Sequence, residues 1–344
     1  MASWRKKVLD VGLSLAVKAG IFNFSRLLSP QTLTVLNYHR IDHADSPHFD
    51  LFKPNVSATP QEFACQMDYV QARYNVISCE QLDRWLQGDA VLPPYPALIT
   101  FDDGYYDNLL HAFPVLQARN LRAIIFLTTG FIGTPRPFYW DIVAYCFHHT
   151  RRDHADLPLL GERRWSDAIS REKVMLAWVE ALKKIPEAQK RALMERIGEI
   201  LDVAIPADRF SNLYLTWPQV REMSQNGMAF GSHTVNHPIL TRILPEQVRS
   251  ELSESKQRLE EEIGQPVISL AYPNGQAADF SEEVMRLARE TGFRLAFSLL
   301  PGPTRLGTVK NSPLAIRRVY IGRNHTFPRF VAALAGLPRL LKSL

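Results

Sequence analysis

The chain has 344 residues, 46% of them hydrophobic and 22% charged, with a formal net charge of +5, a composition that excludes a disordered or fibrous protein and supplies a sizeable core. The basic residues are scattered in pairs such as Arg151-Arg152 and Lys183-Lys184 rather than gathered in a stripe with aromatics; this speaks against a nucleic-acid partner and leaves an acidic glycan or an anionic membrane surface compatible. The three cysteines, Cys65, Cys79 and Cys146, include no CxxC pair, which argues against a disulfide framework or a thiolate zinc cluster and leans toward a reducing compartment.

Along the chain, residues 3–28 read as an amphipathic helix carrying Trp4, Val8, Leu9, Leu13, Val17, Ile21 and Phe22 behind the basic Arg5, Lys6 and Lys7. The longest clean apolar run, Val11 to Val17, is too short to span a bilayer, and no small-residue cleavage site follows. Two roles are open for this helix: packing on the outside of the domain, or peripheral contact with a membrane surface. The expected location is cytoplasmic or peripheral at the membrane. Thr32 to Tyr38 reads as a buried strand with His39 at its end. A helix over residues 60–73, with Thr59 as cap, leads to a short strand at 74–78 and a helix at 80–87.

Ala97 to Phe101 is an apolar strand ending in Asp102-Asp103-Gly104; a helix over 106–119 and a strand over 122–128 follow. This alternation predicts parallel βα units. It stops between about 135 and 215, which reads as a helical insertion with its clearest stretch at 173–201, able to cover a site or meet a partner. It resumes with helices at 217–226, 245–263 and 281–291 and strands at 228–231, 267–272, 295–298 and 315–321. The predicted organisation is an N-terminal helix (1–30), an α/β domain (31–330) holding the insertion, and a C-terminal tail (331–344).

Chemistry concentrates where strands end, which is the working face of α/β barrels. Two adjacent carboxylates are costly unless something separates their roles; a bound cation does so, with one carboxylate as ligand and the other as base. Ser232-His233-Thr234-Val235-Asn236-His237-Pro238 offers two imidazoles at i and i+4, held on a turn because Pro238 disfavours helix at His237. Asp103, His233 and His237 together would make a three-ligand site of the catalytic kind, for which zinc is the leading divalent ion. Taken alone, each motif also reads as an ordinary turn.

Together, Thr100-Phe101-Asp102-Asp103-Gly104, the Ser232–Pro238 segment and Tyr272-Pro273-Asn274-Gly275 resemble the polysaccharide deacetylases of the NodB-homology type (carbohydrate esterase family 4). Leu36-Asn37-Tyr38-His39-Arg40 is similar to the subgroup acting on exopolysaccharides such as poly-N-acetylglucosamine. The resemblance covers roughly 32–330. It implies a distorted (β/α)7 barrel and N-deacetylation of an N-acetylhexosamine polymer or its lipid-linked precursor. It implies Asp102 as base, Asp103, His233 and His237 as metal ligands, and the Tyr105 N–H as oxyanion donor. Two departures stand out. The arginine that the family carries near Ala271 is missing, so Arg317 or Arg318 would supply that charge. The late Leu-x-His motif is also absent, which makes His39 the leading general acid and His325 the second choice. Tyr105, Tyr106, Phe138, Tyr139, Trp140 and Trp217 are candidates for stacking on sugar rings. Competing readings are a non-catalytic glycan-binding or assembly protein and a deacetylase of peptidoglycan or small amides.

Overall fold

Apolar runs such as Ala-Leu-Ile-Thr-Phe, buried along their whole length, favour strands covered on both faces, as parallel sheets require. The computed structural model describes residues 2–22 and 31–337 and resolves these runs into seven parallel strands. They are β1 (Thr32–Tyr38), β2 (Pro96–Asp103), β3 (Ile124–Leu127), β4 (Ala229–Ser232), β5 (Ser269–Ala271), β6 (Leu295–Pro301) and β7 (Ile316–Tyr320). Each pairs with the next in chain order, and β7 returns to β1. The result is a closed (β/α)7 barrel.

The closure is uneven. β1 and β2 share a long register from Thr34↔Ala97 to Tyr38↔Phe101, whereas β4 meets β5 only at Leu270↔Ser232 and the β6–β7 register slips between Phe297 and Pro301. These irregularities distort the barrel. Its interior is filled by Leu33, Val35, Leu98, Ile124, Phe126 and Phe297, all nearly inaccessible; burying each such side chain is worth about 1.5–3 kcal/mol.

The outer helices follow their local signals. The helix Pro60–Arg73 starts at a Thr59–Glu62 capping box with Pro at its first position, both favoured at helix starts. The helix Pro245–Ile263 ends at Gly264, which takes a left-handed φ of 66° that glycine adopts at low cost. The predicted helix at 106–119 is instead a π-turn at Asn108–Ala112 running into Phe113–Ala118. The N-terminal helix spans Ala2–Lys18 and turns at Gly20; residues 23–28 of the predicted helix, and 338–344 of the predicted tail, lie outside the described residues. No helix among the described residues is long and apolar enough to cross a membrane.

A second compact unit comprises residues 43–54 and 133–213. It holds the helices Tyr139–His149, Ala168–Leu182, Glu187–Glu195 and Ile197–Leu201. Its aromatic core is built on Phe147, with ring centroids 5.5 Å from Trp165 and 6.1 Å from Trp178. Besides helices it contains an antiparallel hairpin, His154–Leu157 with Gly161–Arg164. Strands of four residues rich in charge carry too little apolar alternation to be read from sequence.

Gly231 in β4 shows how tightly the barrel is packed: a Cβ there would lie 2.6 Å from ring carbons of Phe126 and 2.8 Å from Ser269 Oγ. Gly231→Ala is expected to destabilise the fold by roughly 1–3 kcal/mol through overpacking, read as a lowered thermal midpoint; an unchanged midpoint would show that the ring can shift freely.

Candidate active site

β2 runs two residues further than its apolar stretch and ends on Asp102 and Asp103 themselves. Successive strand residues normally face opposite ways. Here Asp103 adopts a left-handed φ of 76° and Gly104 one of 82°, so the chain twists at this exit. Gly104 is required on steric grounds as well, since a Cβ would lie 2.7 Å from Leu127 Cδ2 and 2.8 Å from Ile132 Cδ1. The two carboxylates, each about 1% exposed, end in different surroundings.

Asp102 is gripped by Arg318 from β7. Nη1 donates to Oδ1 at 2.7 Å and Nη2 to Oδ2 at 2.8 Å, the bidentate geometry that suits a guanidinium to a carboxylate. Arg318 is fully buried and also donates from Nε to the Ser298 carbonyl. Asn37 in β1 donates to Oδ2 at 2.9 Å. Burial pushes the Asp102 carboxyl up, but the Arg318 charge, with smaller contributions from His233 and His39, outweighs it and holds the group well below the usual carboxylate range. Of the two arginines considered, Arg318 makes this contact; Arg317 is exposed.

Asp103 faces the two histidines. Its Oδ1 lies 3.7 Å from His233 Nε2 and 3.6 Å from His237 Nε2, and one ligand atom from each residue falls within 4.8 Å of the others. The donor chemistry fits a cation. His233 Nδ1 is 2.7 Å from the Ala271 carbonyl, which can only accept, so Nδ1 carries the proton and Nε2 turns a lone pair toward Asp103. Burial lowers the His233 pKa and keeps the ring neutral. A lone pair facing a buried carboxylate is repulsive unless a positive ion lies between them. Ligands about 2.0–2.2 Å from a divalent ion in a tetrahedron sit on the order of 3.3–3.6 Å apart, close to the spacings observed.

The loop carrying His237 is held in a strained shape, with left-handed φ at Thr234 (67°) and His237 (60°). Such conformations cost about 1–3 kcal/mol each and persist only where surroundings impose them. Here the Thr129 and Gly130 N–H groups donate to the Thr234 and Val235 carbonyls. From the helix Pro245–Ile263, Glu251 accepts the N–H groups of Val235 and Asn236 and the Asn236 side-chain amide, each at 2.8 Å.

His39 follows β1, with Nε2 4.0 Å from Asp102 Oδ2 and its ring 5.9 Å from that of Tyr320. Burial lowers its pKa to about 4 against the pull of Asp102. Its backbone carbonyl accepts from Asn108, and the neighbouring Arg40 is paired with Asp107 at 2.7 Å. His325 is directed elsewhere: its Nδ1 engages Gly322, and it lines a cavity of about 780 Å³ with Val17, Tyr69 and Phe327. Tyr105 is completely buried and bridges to Tyr214, with the Leu215 N–H donating to the Gly104 carbonyl. Phe138 and Trp140 are likewise buried, so with Tyr105 their rings belong to packing rather than to an open sugar platform.

Asn37 and Glu251 escaped the sequence reading. Asn37 had a signal, because an amide inside an otherwise apolar strand calls for a buried partner. Glu251 had none, being one acid among many on a polar helix. Its three hydrogen bonds predict that Glu251→Ala leaves the fold intact but loosens the His237 loop, so that a divalent ion titrated against Asp103, His233 and His237 would be held roughly 10–100-fold less tightly, as loss of an outer support implies. Titration calorimetry of variant and parent checks this; equal affinities would show that the loop holds its shape unaided.

Residues 91–296 match the sequence profile of a family described as polysaccharide deacetylase. The putative polysaccharide deacetylase YxkH of Bacillus subtilis (strain 168) is 23% identical over 274 residues, which cover 79% of this chain and 66% of the relative, just under two thirds of its length. Among solved structures, the Streptococcus pyogenes deacetylase PplD in complex with acetate is similar with a TM-score of 0.57 and 21% identity, covering 89% of this chain and 99% of that one. IcaB from Ammonifex degensii is similar with a TM-score of 0.55 and 21% identity, covering 88% and 97%. At these identities the solved structures establish a shared fold. The profile match spans more than half of the sequence and takes in Asp102, Asp103, His233 and His237: the chain belongs to the polysaccharide deacetylase family.

Proposed function

We propose that the chain is a metal-dependent hydrolase that removes N-acetyl groups from an N-acetylhexosamine-containing glycan or its lipid-linked precursor, in the service of exopolysaccharide synthesis. The observation that carries this reading is the division of labour between neighbouring acids. Asp102 is forked by Arg318, and Asp103 is aimed at two imidazole nitrogens. A structural ion pair would need only the first arrangement, and a structural metal site only the second. Membership of the deacetylase family supports acetyl transfer to water, and the similar PplD structure was solved with acetate, the product such a reaction releases.

Asp103, His233 and His237 would hold a divalent ion, zinc foremost, which supplies Lewis acidity to the acetamide carbonyl and makes water a stronger acid. Asp102 removes the proton from the attacking water, fixed in place by Arg318 and Asn37 so that no reorientation is needed during the reaction. The Tyr105 backbone N–H donates to the oxygen on which negative charge develops. Since the Asp102 carboxyl is held well below the usual carboxylate range, the proton rests more stably on His39, whose pKa is about 4. His39, neutral at the outset, thereby becomes the donor to the departing amine, 4.0 Å from the base that charges it.

Acetate release from defined N-acetylglucosamine oligomers, with metal stripped by chelation and then restored, tests the reading. Activity should vanish and return with the ion. Asp102→Asn should bind Zn²⁺ as the parent does and yet lose roughly 10²–10⁴-fold in kcat, and His39→Ala should fall by a similar factor. Metal binding without acetate release from any oligomer would favour a non-catalytic glycan-binding protein, and substantial activity in Asp102→Asn would remove that residue as base.

A further inference from the structure

The N-terminal helix, here α1 (Ala2–Lys18), is apolar on two sides, and packing within the chain explains only one of them. α1 lies against the helix α2 (Phe327–Leu334). Its orientation is set by Asp10, whose carboxylate accepts from Arg329 Nε at 2.6 Å and from Thr326 Oγ1 at 3.2 Å. Leu9, Leu13 and Val17 are half-buried toward that side. At about 3.6 residues per turn, Val8, Val11 and Leu15 fall on the opposite side, where they are 51%, 61% and 62% exposed. Ile21, just past the turn at Gly20, is 56% exposed. Isolated exposed aliphatics are ordinary, but a row of them along one short helix marks a surface that something covers.

Charge decides among the possible covers. α1 contains four basic residues, Arg5, Lys6, Lys7 and Lys18, and a single acid, Asp10, which is already committed to Arg329. A second copy of the chain would bring these like charges together. A surface that combines negative charge with an apolar layer just beneath it matches both features. We infer that the outward row of α1 is a docking surface for an anionic phospholipid bilayer, in which Val8, Val11 and Leu15 enter the headgroup–acyl boundary and the net positive charge of the segment draws it to the lipid phosphates. This mode is peripheral, in keeping with the lack of any described helix able to span a bilayer. It is independent of the hydrolase chemistry, though it would hold a deacetylase beside a lipid-linked substrate.

Flotation of the full chain with vesicles tests the inference, comparing phosphatidylcholine alone with phosphatidylcholine mixed with phosphatidylglycerol. The parent should float with the anionic vesicles, bind neutral ones far more weakly, and detach as salt rises. Val11→Asp combined with Leu15→Asp should weaken binding at least about tenfold, with no change in thermal midpoint, since neither residue packs inward. Lys6→Glu with Lys7→Glu should weaken binding to anionic vesicles and leave the residual binding to neutral ones unchanged. Acetate release from a soluble oligomer should be unaffected by either pair, so failure of this inference and failure of the hydrolase reading are separate results. Absence of parent binding, or equal binding by the Val11/Leu15 variant, would overturn the inference. So would light scattering that shows a parent dimer converted to monomer by the same substitutions, which would assign the row to a second copy.

Discussion

The bidentate pair between Arg318 and Asp102 is the constraint around which the barrel's upper end is organised. Two charges in an interior from which water is excluded are tolerable only as partners, because removing either leaves the other uncompensated. The pair ties β2 to the last strand, and Asn37 brings β1 into the same knot. Three strands thus agree on one carboxylate, and everything else at the site is positioned relative to it.

From that anchor the adjacent acid can be put to different use. The left-handed turn at Asp103 moves its carboxylate off the strand's alternation and toward His233 and His237. The strained loop that carries His237 is held from two directions, by backbone hydrogen bonds from the segment after β3 and by Glu251 from an outer helix. The barrel therefore supplies rigidity and the loop supplies reach. Strain at Thr234 and His237 is maintained by hydrogen bonds rather than by burial alone.

Much of this was legible in the sequence, because it rests on local signals. The strand Thr32–Tyr38, the helices Pro60–Arg73 and Pro245–Ile263 and the acidic exit of β2 follow from apolar runs, capping residues and glycine placement. Asp103, His233 and His237 could be grouped from chemistry, and the structure brings them to one point. What stayed hidden depends on distant partners. Nothing local separates Arg317 from Arg318; only strand alternation and barrel closure decide which one turns inward. The pairing of Asp50 with His149 and Arg209 in the second unit likewise joins residues about a hundred or more positions apart. The short hairpin at 154–164 carried too weak a pattern, and the aromatic rings of Phe138 and Trp140 could not be told apart from a sugar platform until their burial was known.

Chain order gives the Arg318 contact a further meaning. β1 is the first barrel strand to be made and β7 the last, and the two are neighbours in the finished cylinder. Until residue 318 has been synthesised, Asp102 has no guanidinium to offset its desolvation, and the cylinder lacks the stave that closes it. A nascent chain carrying the first six strands therefore has no stable way to seal this carboxylate inside. Pairing of Asp102 with Arg318 and completion of the barrel become a single late event, so that a truncated product is left open and recognisably unfinished rather than folded and inert.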